Sequence, residues 1–417
     1  MSKSVVINMA EMIYVLLLCV CHTVIFINLV ISDIYGFSTV VLCYIVAVIV
    51  TLGGFFLYKD EKKKNQKKVA ATHITILKIN MNKMSGIVLV ILILSIVALK
   101  LTGIGMAETT VVSTTKLDKI RNIFDINAII WIYYFAGRET FKKNIFWINM
   151  GLYFFYEIMC GWTGFIMAFF FFELYFWMKR KNIESKKINI SKIVVNILVC
   201  FLLIVMGGMV YRYMQPIKFA IRNRTTEWIK IPLNDGIKNL AERITYLADS
   251  VRAIENKDII LRYYLNQGNI WLETKAVFKP FIPGFIMKNK IFMNISNCIS
   301  SCFLGVPVMN TSISISSPLH LYLLFGIDYK LGLVQIVLFF IALSLNLKLY
   351  RYFENYVGQF DFLVFYTIMK YTLTANLEVL FTQTYVKWIF LFPIFILLGC
   401  IKNKKIVILR EERNIVK

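Results

Sequence analysis

Arginine residues are concentrated in one polar stretch of an otherwise apolar chain. Between positions 212 and 290 the sequence has 14 lysines and arginines against 7 aspartates and glutamates. A guanidinium group binds a phosphate through two parallel hydrogen bonds, so this stretch predicts a site for a phosphate or diphosphate group. The arginines expected to form it are Arg222, Arg224, Arg243 and Arg252. The alternative is a solvated helix whose arginines extend along a lipid surface.

One histidine adds acid–base chemistry beside this stretch. His320 follows it, and an imidazole titrates near neutral pH, which suits a general base toward a hydroxyl group. A structural histidine at the start of a helix is the alternative. Tyr322 and Lys290 are expected to line the same site. The histidines and cysteines show no metal-ligand spacing and no glycine-rich phosphate loop occurs, so neither a metal nor a nucleotide cofactor is expected.

The composition places these residues in a membrane protein. Hydrophobic residues make up 58% of the 417 positions and charged residues 17%, whereas soluble domains are about half apolar and about a quarter charged. A soluble enzyme is therefore excluded. The net charge of +23 suggests a nucleic-acid partner at first sight. However, the cations lie in short clusters between long apolar runs, which is typical of membrane proteins, so no nucleic-acid partner is expected.

Ten hydrophobic segments approach the length needed to cross a bilayer. They predict an all-α integral membrane protein, residues 1–417 forming a single polytopic domain, with about ten and at most twelve transmembrane helices. The eight stronger segments are Met12–Ile31, Phe37–Tyr58, Gly86–Thr102, Phe146–Gly161, Gly164–Met178, Ile193–Tyr211, Leu333–Leu347 and Val386–Cys400, and the two weaker ones are Phe124–Ala136 and Phe360–Leu373.

The positive charges predict the orientation of these spans. Lysines and arginines cluster in alternate loops, most densely in the linker 59–85, and cytoplasmic loops are the ones enriched in these residues. Both termini are therefore expected in the cytoplasm. Residues 212–318 would form one large extracytoplasmic loop, in which apolar residues at three- and four-residue spacing predict amphipathic helices. Glu157 and Lys370 lie within predicted spans and are candidates for function, Lys370 the weaker because it is near a span end.

Three motifs in this layout are similar to those of a known family. The stretch Lys279–Lys290 resembles a proline-containing motif of a large outer loop, and Leu319–Gly326 an aromatic motif that leads into the next span. The turn Gly161–Gly164 is similar to one that often carries an arginine. With these motifs the chain resembles the O-antigen and capsule repeat-unit polymerases (Wzy-type), relatives of the O-antigen ligases. Gly284 stands where the first motif usually has arginine, and the turn lacks its arginine, so other cations would replace them.

The resemblance implies a membrane glycosyltransferase of polysaccharide biosynthesis that needs no metal, nucleotide or other cofactor. Such an enzyme transfers the growing glycan from its undecaprenyl pyrophosphate carrier to a new lipid-linked repeat unit, at the outer face of the bacterial cytoplasmic membrane. Its product is lipopolysaccharide O-antigen or capsule. The partners implied are the lipid-linked glycans, the bilayer, a chain-length regulator and a flippase. The arginines would bind the diphosphates, His320 would be the base, and Lys290 and Tyr322 would line the site.

Two other functions fit the same layout. A flippase or exporter of lipid-linked oligosaccharides would typically show internal repeats and balanced short loops, and the sequence shows no convincing repeat and one dominant loop. This favours the polymerase. A ligase of the same architecture is not separated from a polymerase by the sequence.

Overall fold

The computed structural model describes residues 7–69, 73–102, 126–162, 164–181, 184–185, 190–223, 229–278, 292–307, 313–353, 360–374 and 377–407. Within these residues the chain is almost entirely helical, with two small antiparallel sheets of two strands each. The expectation of an all-α membrane protein is confirmed at this level.

The elements are numbered in chain order. The helices are α1 (Met9–Ser32), α2 (Phe37–Val69), α3 (Met81–Thr102), α4 (Ile126–Gly137), α5 (Asn144–Met159), α6 (Gly164–Arg180), α7 (Ile190–Asn223), α8 (Leu233–Thr245), α9 (Leu247–Glu255), α10 (Lys257–Leu265), α11 (Leu272–Phe278), α12 (Ile295–Leu304), α13 (Ser317–Ile327), α14 (Tyr329–Tyr352), α15 (Asp361–Leu373), α16 (Leu377–Tyr385) and α17 (Phe392–Leu397). A π-helical turn, Val386–Leu391, joins the last two, and the strands are β1 (Ile7–Asn8), β2 (His73–Ile79), β3 (Glu184–Ser185) and β4 (Ile401–Val407).

Six helical runs among the described residues are long and apolar enough to cross a bilayer. They lie in α1, α2, α3, α7 and α14 and in the continuous run Val379–Leu397. The other four predicted spans coincide with α4, α5, α6 and α15, which have 12, 16, 17 and 13 residues. Length and composition thus support a multi-pass protein, and within the described residues six of the ten predicted spans coincide with helices long enough to cross.

The first two helices form an antiparallel hairpin with polar contacts along its length. Glu11, which is fully buried near the start of α1, accepts hydrogen bonds from Tyr58 and from Lys62 at 3.2 Å. Nearer the middle, His22 Nε2 lies 3.3 Å from Thr51 Oγ1. Ionisable groups inside apolar helices are costly unless they find such partners, so these contacts fix the register of the hairpin.

The lysine-rich loops meet at one end of the helix bundle. Strand β1 precedes α1 and pairs with β3, which lies between α6 and α7. Strand β2 follows α2 and pairs along its whole length with β4, with His73 opposite Val407 and Ile79 opposite Ile401. We call this end, which also holds the loop between α4 and α5, the last residues of α14 and the start of α15, the basic end. The segments at the basic end come from distant parts of the sequence, such as β2 and β4. Their contact supports placing all of them on the same side of the membrane.

Ion pairs tie the helices together at the basic end. Arg138 at the end of α4 donates to Glu173 of α6 at 2.5 and 2.8 Å. Lys62 of α2 lies 3.7 Å from the carboxylate of Asp361 at the start of α15. Such pairs between different helices leave these cations engaged with carboxylates of the protein itself.

The opposite end of the bundle is covered by helices α8 to α13, which we call the capping segment (described residues 229–278, 292–307 and 313–327). Helix α8 packs on α1 and α7, and α9 packs on α2. A Cβ atom at Gly36, in the turn between α1 and α2, would lie 3.1 Å from Glu255 Oε1 at the end of α9. Leu240, Leu247 and Val251 are buried, so α8 and α9 turn apolar faces toward the bundle, as the amphipathic pattern predicted. The segment begins later than expected because α7 continues to Asn223.

Candidate anion-binding cavity

A cavity of about 500 Å³ lies between the helix bundle and the capping segment. Its walls come from α1, α4, α5, α6, α7, α8 and α15. The volume falls within the range of about 300–1,000 Å³ that is typical of small-molecule sites. Helices from the first and the last part of the chain meet here, so the cavity is a product of the tertiary fold.

The turn between α5 and α6 forms one rigid wall. The amide of Trp162 donates to the Glu157 carbonyl at 3.0 Å, and the amide of Gly161 donates to the Ile158 carbonyl at 2.9 Å. This pair of bonds is the Schellman arrangement that ends many helices. Gly161 has a φ of 70°, a left-handed conformation that glycine adopts without steric cost. Because Glu157 and Trp162 both line the cavity, the turn fixes their positions relative to each other.

A close helix crossing positions the wall formed by α8. A Cβ atom on Gly236 of α8 would lie 2.6 Å from the carbonyl oxygen of Gly208 in α7, and one on Gly208 would lie 3.1 Å from the backbone of Ile237. Small residues allow two helix backbones to approach in this way. Leu240 and Arg243, one and two turns further along α8, consequently line the cavity.

Three cations and one carboxylate line the described part of the cavity: Lys218, Arg243, Lys370 and Glu157. Lys218 is 8% exposed and Glu157 3%, so both lie where water screens charge weakly. The ammonium group of Lys370 lies 5.2 Å from the centre of the Trp131 ring. The excess of positive charge suits an anionic ligand with more than one negative charge, such as a diphosphate.

Neutral hydrogen-bonding groups surround these charges. Tyr153 donates to Asn127 Oδ1 at 2.5 Å, and both residues line the cavity. Burial raises the pKa of the Tyr246 phenol, although Arg243 nearby acts in the opposite direction. Tyr246 therefore stays protonated near neutral pH and is a neutral hydrogen-bonding residue of the cavity lining.

An apolar groove of about 150 Å³ continues from the cavity between α6 and α7. Leu17, Met167, Phe171, Tyr211 and Leu240 line both spaces. The two spaces are therefore adjacent, one charged and one apolar.

The far rim of the groove reaches the outer surface of the bundle. Phe170, Met206 and Val210 line the groove and are 39%, 54% and 46% exposed. In a membrane these residues of α6 and α7 would face lipid. The combined shape suits a molecule with an anionic head and a hydrocarbon tail.

The arginines predicted from the sequence have different surroundings. Arg243 is exposed and lines the cavity. Arg252 is exposed, stacks at 4.0 Å from the centre of the Phe303 ring and donates to the Phe303 carbonyl at 3.1 Å. Arg222 belongs to α7, but its side chain lies outside the described residues, as do Arg224 and the motif Lys279–Lys290 with Lys290.

His320 does not belong to the described lining of the cavity. It forms an enclosed pair with Glu273 instead. Its Nε2 lies 3.4 Å from Glu273 Oε1, and both side chains are 4% exposed. The second oxygen of Glu273 accepts a hydrogen bond from the amide of Ile295 at 2.9 Å. The pair thus joins α11, α12 and α13. Tyr322, two residues further on, is 51% exposed with Lys257 Nζ 3.5 Å from its hydroxyl.

Lys218 is the charged residue of the described cavity lining that the sequence did not single out. The predicted span ended at Tyr211, where charged residues begin, so Lys218 counted as part of the loop. Its signal was a helix-compatible pattern that continues past Arg212, and α7 indeed runs through Pro216 to Asn223. Glu157 and Lys370 had been noted as ionisable residues inside spans, and both line the cavity.

No family model, curated protein or solved structure matches this chain. Among the described residues there is also no group of three or more histidine, cysteine or acidic side chains placed to hold a metal ion.

Proposed function

We propose that the protein polymerises lipid-linked oligosaccharide repeat units at the outer face of the bacterial cytoplasmic membrane. In this reaction the growing glycan leaves its undecaprenyl pyrophosphate carrier and joins a hydroxyl group of a new lipid-linked repeat unit. The observation that carries the proposal is the cavity lined by Lys218, Arg243 and Lys370, with the apolar groove beside it.

The charge of the cavity supports transfer from a diphosphate. When the bond between the sugar and the carrier breaks, its electron pair and the negative charge stay on the diphosphate. Fixed cations in a partly dry site stabilise that charge without having to reorganise. Arg243 and the two lysines would hold the leaving group, and the phenol of Tyr246 would donate an additional hydrogen bond.

The groove supports a lipid carrier over a soluble one. An apolar space that joins a charged cavity to the lipid-facing surface can accept the first part of a hydrocarbon tail. Each buried methylene group contributes about 0.8 kcal/mol, so the tail would add affinity and direct the diphosphate into the cavity.

The positive-inside rule supports the proposed orientation. The basic end gathers the lysine-rich loops, and such loops are retained in the cytoplasm. The capping segment and the cavity would then face outward, with both termini in the cytoplasm. This side is where lipid-linked repeat units are available to a polymerase, after a flippase has moved them, and where a chain-length regulator would act.

Contacts at the floor of the cavity favour chemistry over passage. The Tyr14 ring lies 4.7 Å from Phe171 and 6.0 Å from Tyr366, edge to face in both pairs. All three rings line the cavity and are held together by the contacts of Tyr14, whereas a flippase must open a path between the two sides of the membrane. A ligase would use a cavity of the same kind, with a different acceptor.

The proposal is tested by reconstituting the purified protein in liposomes with a lipid-linked repeat unit as the only glycan. We expect a ladder of longer lipid-linked glycans without added metal or nucleotide. Transfer only to an added lipid A-type acceptor would mark a ligase, and movement of the unit across the bilayer without a new glycosidic bond would mark a flippase. Either outcome would replace the polymerase assignment.

A further inference from the structure

We propose that Glu157 accepts the proton of the attacking hydroxyl group. This inference rests on the proposed function, and it assigns to a cavity residue the role that the sequence predicted for His320. Glu157 lies in the last turn of α5, in the wall next to the Gly161–Trp162 turn.

The lining of the cavity leaves few groups able to take up a proton. Lysine and arginine are already protonated near neutral pH, and phenols hold their protons up to about pH 10. Amides such as Asn127 are not bases. Among the lining residues that the structure describes, the Glu157 carboxylate is therefore the side chain with proton-accepting capacity.

His320 is not placed for the same task. Its imidazole is enclosed with Glu273, whose other carboxylate oxygen accepts a hydrogen bond from the amide at the start of α12. A general base must come within hydrogen-bond reach of the proton that it removes. The described lining of the cavity includes Glu157 and does not include His320.

The step balances with these groups alone. The hydroxyl oxygen of the acceptor sugar forms a bond to the anomeric carbon of the donor glycan, and its proton passes to the carboxylate of Glu157. The bond from the anomeric carbon to the diphosphate oxygen breaks, and the electron pair leaves with the diphosphate. Lys218, Arg243 and Lys370 offset the charge of both the departing diphosphate and the ionised glutamate. Release of the proton to water restores the carboxylate.

The local structure supports a fixed position for this carboxylate. The Schellman turn holds the end of α5 through the Glu157 carbonyl itself, at 3.0 Å from the Trp162 amide. One helical turn earlier, Tyr153 is held by Asn127 of α4. A base is effective only when its position is set in advance, and here two neighbouring contacts hold the end of the helix that carries it.

The test compares Glu157→Gln and Glu157→Asp with the wild-type protein in the liposome assay, with the rate of glycan extension measured from about pH 5 to about pH 8. Glu157→Gln should slow extension by about 10²- to 10⁴-fold and remove the rise in rate on the acid side of the profile. Binding of polyprenyl diphosphate should be equal or tighter, because a negative charge has left the cavity. Glu157→Asp should keep part of the activity and a pH-dependent acid limb.

The matched control is Glu273→Gln, which changes the carboxylate of the enclosed pair and should leave the shape of the pH profile intact. The inference is overturned if Glu157→Gln keeps the wild-type pH profile, or if Glu273→Gln or His320→Gln removes its acid limb. If Glu157→Gln does not fold, an unchanged profile in Glu157→Asp, with a rate close to wild type, overturns it as well. Failure of the proposed function looks different, because the wild-type protein itself would then form no glycan ladder.

Discussion

The half of the molecule opposite the basic end contains two polar clusters with opposite character. The cavity cluster gathers Lys218, Arg243, Lys370 and Glu157 around open space. The pair of His320 and Glu273 is enclosed between α11, α12 and α13. Both clusters combine residue types that catalyse reactions, but only the first has room for a ligand beside it within the described structure.

This difference shows why residue type alone is a weak guide to a site. Histidine is an obvious catalytic candidate in a sequence because imidazoles titrate near neutral pH. A buried histidine beside a glutamate, however, can instead stabilise the fold by hydrogen bonding and charge pairing. A lysine in a polar stretch is not an obvious candidate from the sequence, yet it can contribute to function when the helix that contains it places it in a cavity. The four predictions that follow test this contrast.

The largest effect is expected from the charge of the cavity. Arg243→Ala should lower the rate of glycan extension by about 10²- to 10³-fold, because a cation of the cavity that stabilises the departing charge is lost. The rate is measured in the liposome assay at saturating repeat unit. Folding is checked by thermal unfolding in detergent.

Arg252→Ala is the matched control for this change. It removes an arginine from the next helix, which stacks on Phe303 outside the described cavity lining. Its extension rate should stay within about threefold of wild type, as is usual for an exposed pair. Equal losses in both variants would mean that the two arginines act together, as the sequence alone suggested. They would contradict the structural distinction between Arg243 in the cavity lining and Arg252 outside it.

A loss of stability is expected from the enclosed pair. His320→Ala leaves one oxygen of the buried Glu273 without its partner, and an unsatisfied buried polar group costs about 1–3 kcal/mol in free energy of unfolding, and more when it is charged. Thermal unfolding in detergent measures this loss, and binding of polyprenyl diphosphate to the folded fraction should be unchanged. A variant that unfolds like wild type but no longer extends glycans would restore His320 as the base.

A smaller effect is expected from the crossing of α7 and α8. Gly236→Ala places a Cβ atom 2.6 Å from the Gly208 carbonyl oxygen, so α8 must move, at a cost of about 1–3 kcal/mol. Arg243 moves with it, and affinity for polyprenyl diphosphate should fall. Gly151→Ala is the control, because a Cβ atom there meets nothing within 4 Å. Equal affinity and stability in the two variants would contradict the role of this crossing.

The smallest effect is expected from the apolar groove. Val210→Trp fills it and should weaken binding of a long-chain polyprenyl diphosphate by about tenfold, the equivalent of roughly two buried methylene groups. Inorganic pyrophosphate should bind as before. Met209→Trp changes a neighbouring exposed residue that does not belong to the groove lining and should change neither affinity. Equal weakening in both variants would place the tail elsewhere on α7.

The sequence predicted the class of fold because bilayer crossing depends on local properties. Apolar length and the distribution of lysines are visible without tertiary contacts. The helix ends were harder. Helix α7 was ended at Tyr211 because hydropathy falls there, but backbone hydrogen bonds continue the helix beyond the apolar region to Asn223.

The cavity could be predicted only in part, for a different reason. Arg243 was selected because it belongs to a cluster of arginines suited to a phosphate, and Glu157 because carboxylates are costly in membranes. That they share a cavity with Lys218 and Lys370 depends on contacts between α5, α7, α8 and α15, which no local pattern encodes. The enclosure of His320 by Glu273 depends in the same way on two helices, α11 and α13, that the sequence left unassigned.

The most direct measurement of the central claim is photo-crosslinking of the reconstituted protein with a polyprenyl diphosphate that carries a photoreactive group next to the diphosphate. Peptides are then identified by mass spectrometry. We expect labels on cavity residues such as Trp162, Tyr246 and Thr374, and their loss when inorganic pyrophosphate competes. Labels confined to the exposed surface around Phe303 and Tyr322, with none in the cavity, would contradict the account.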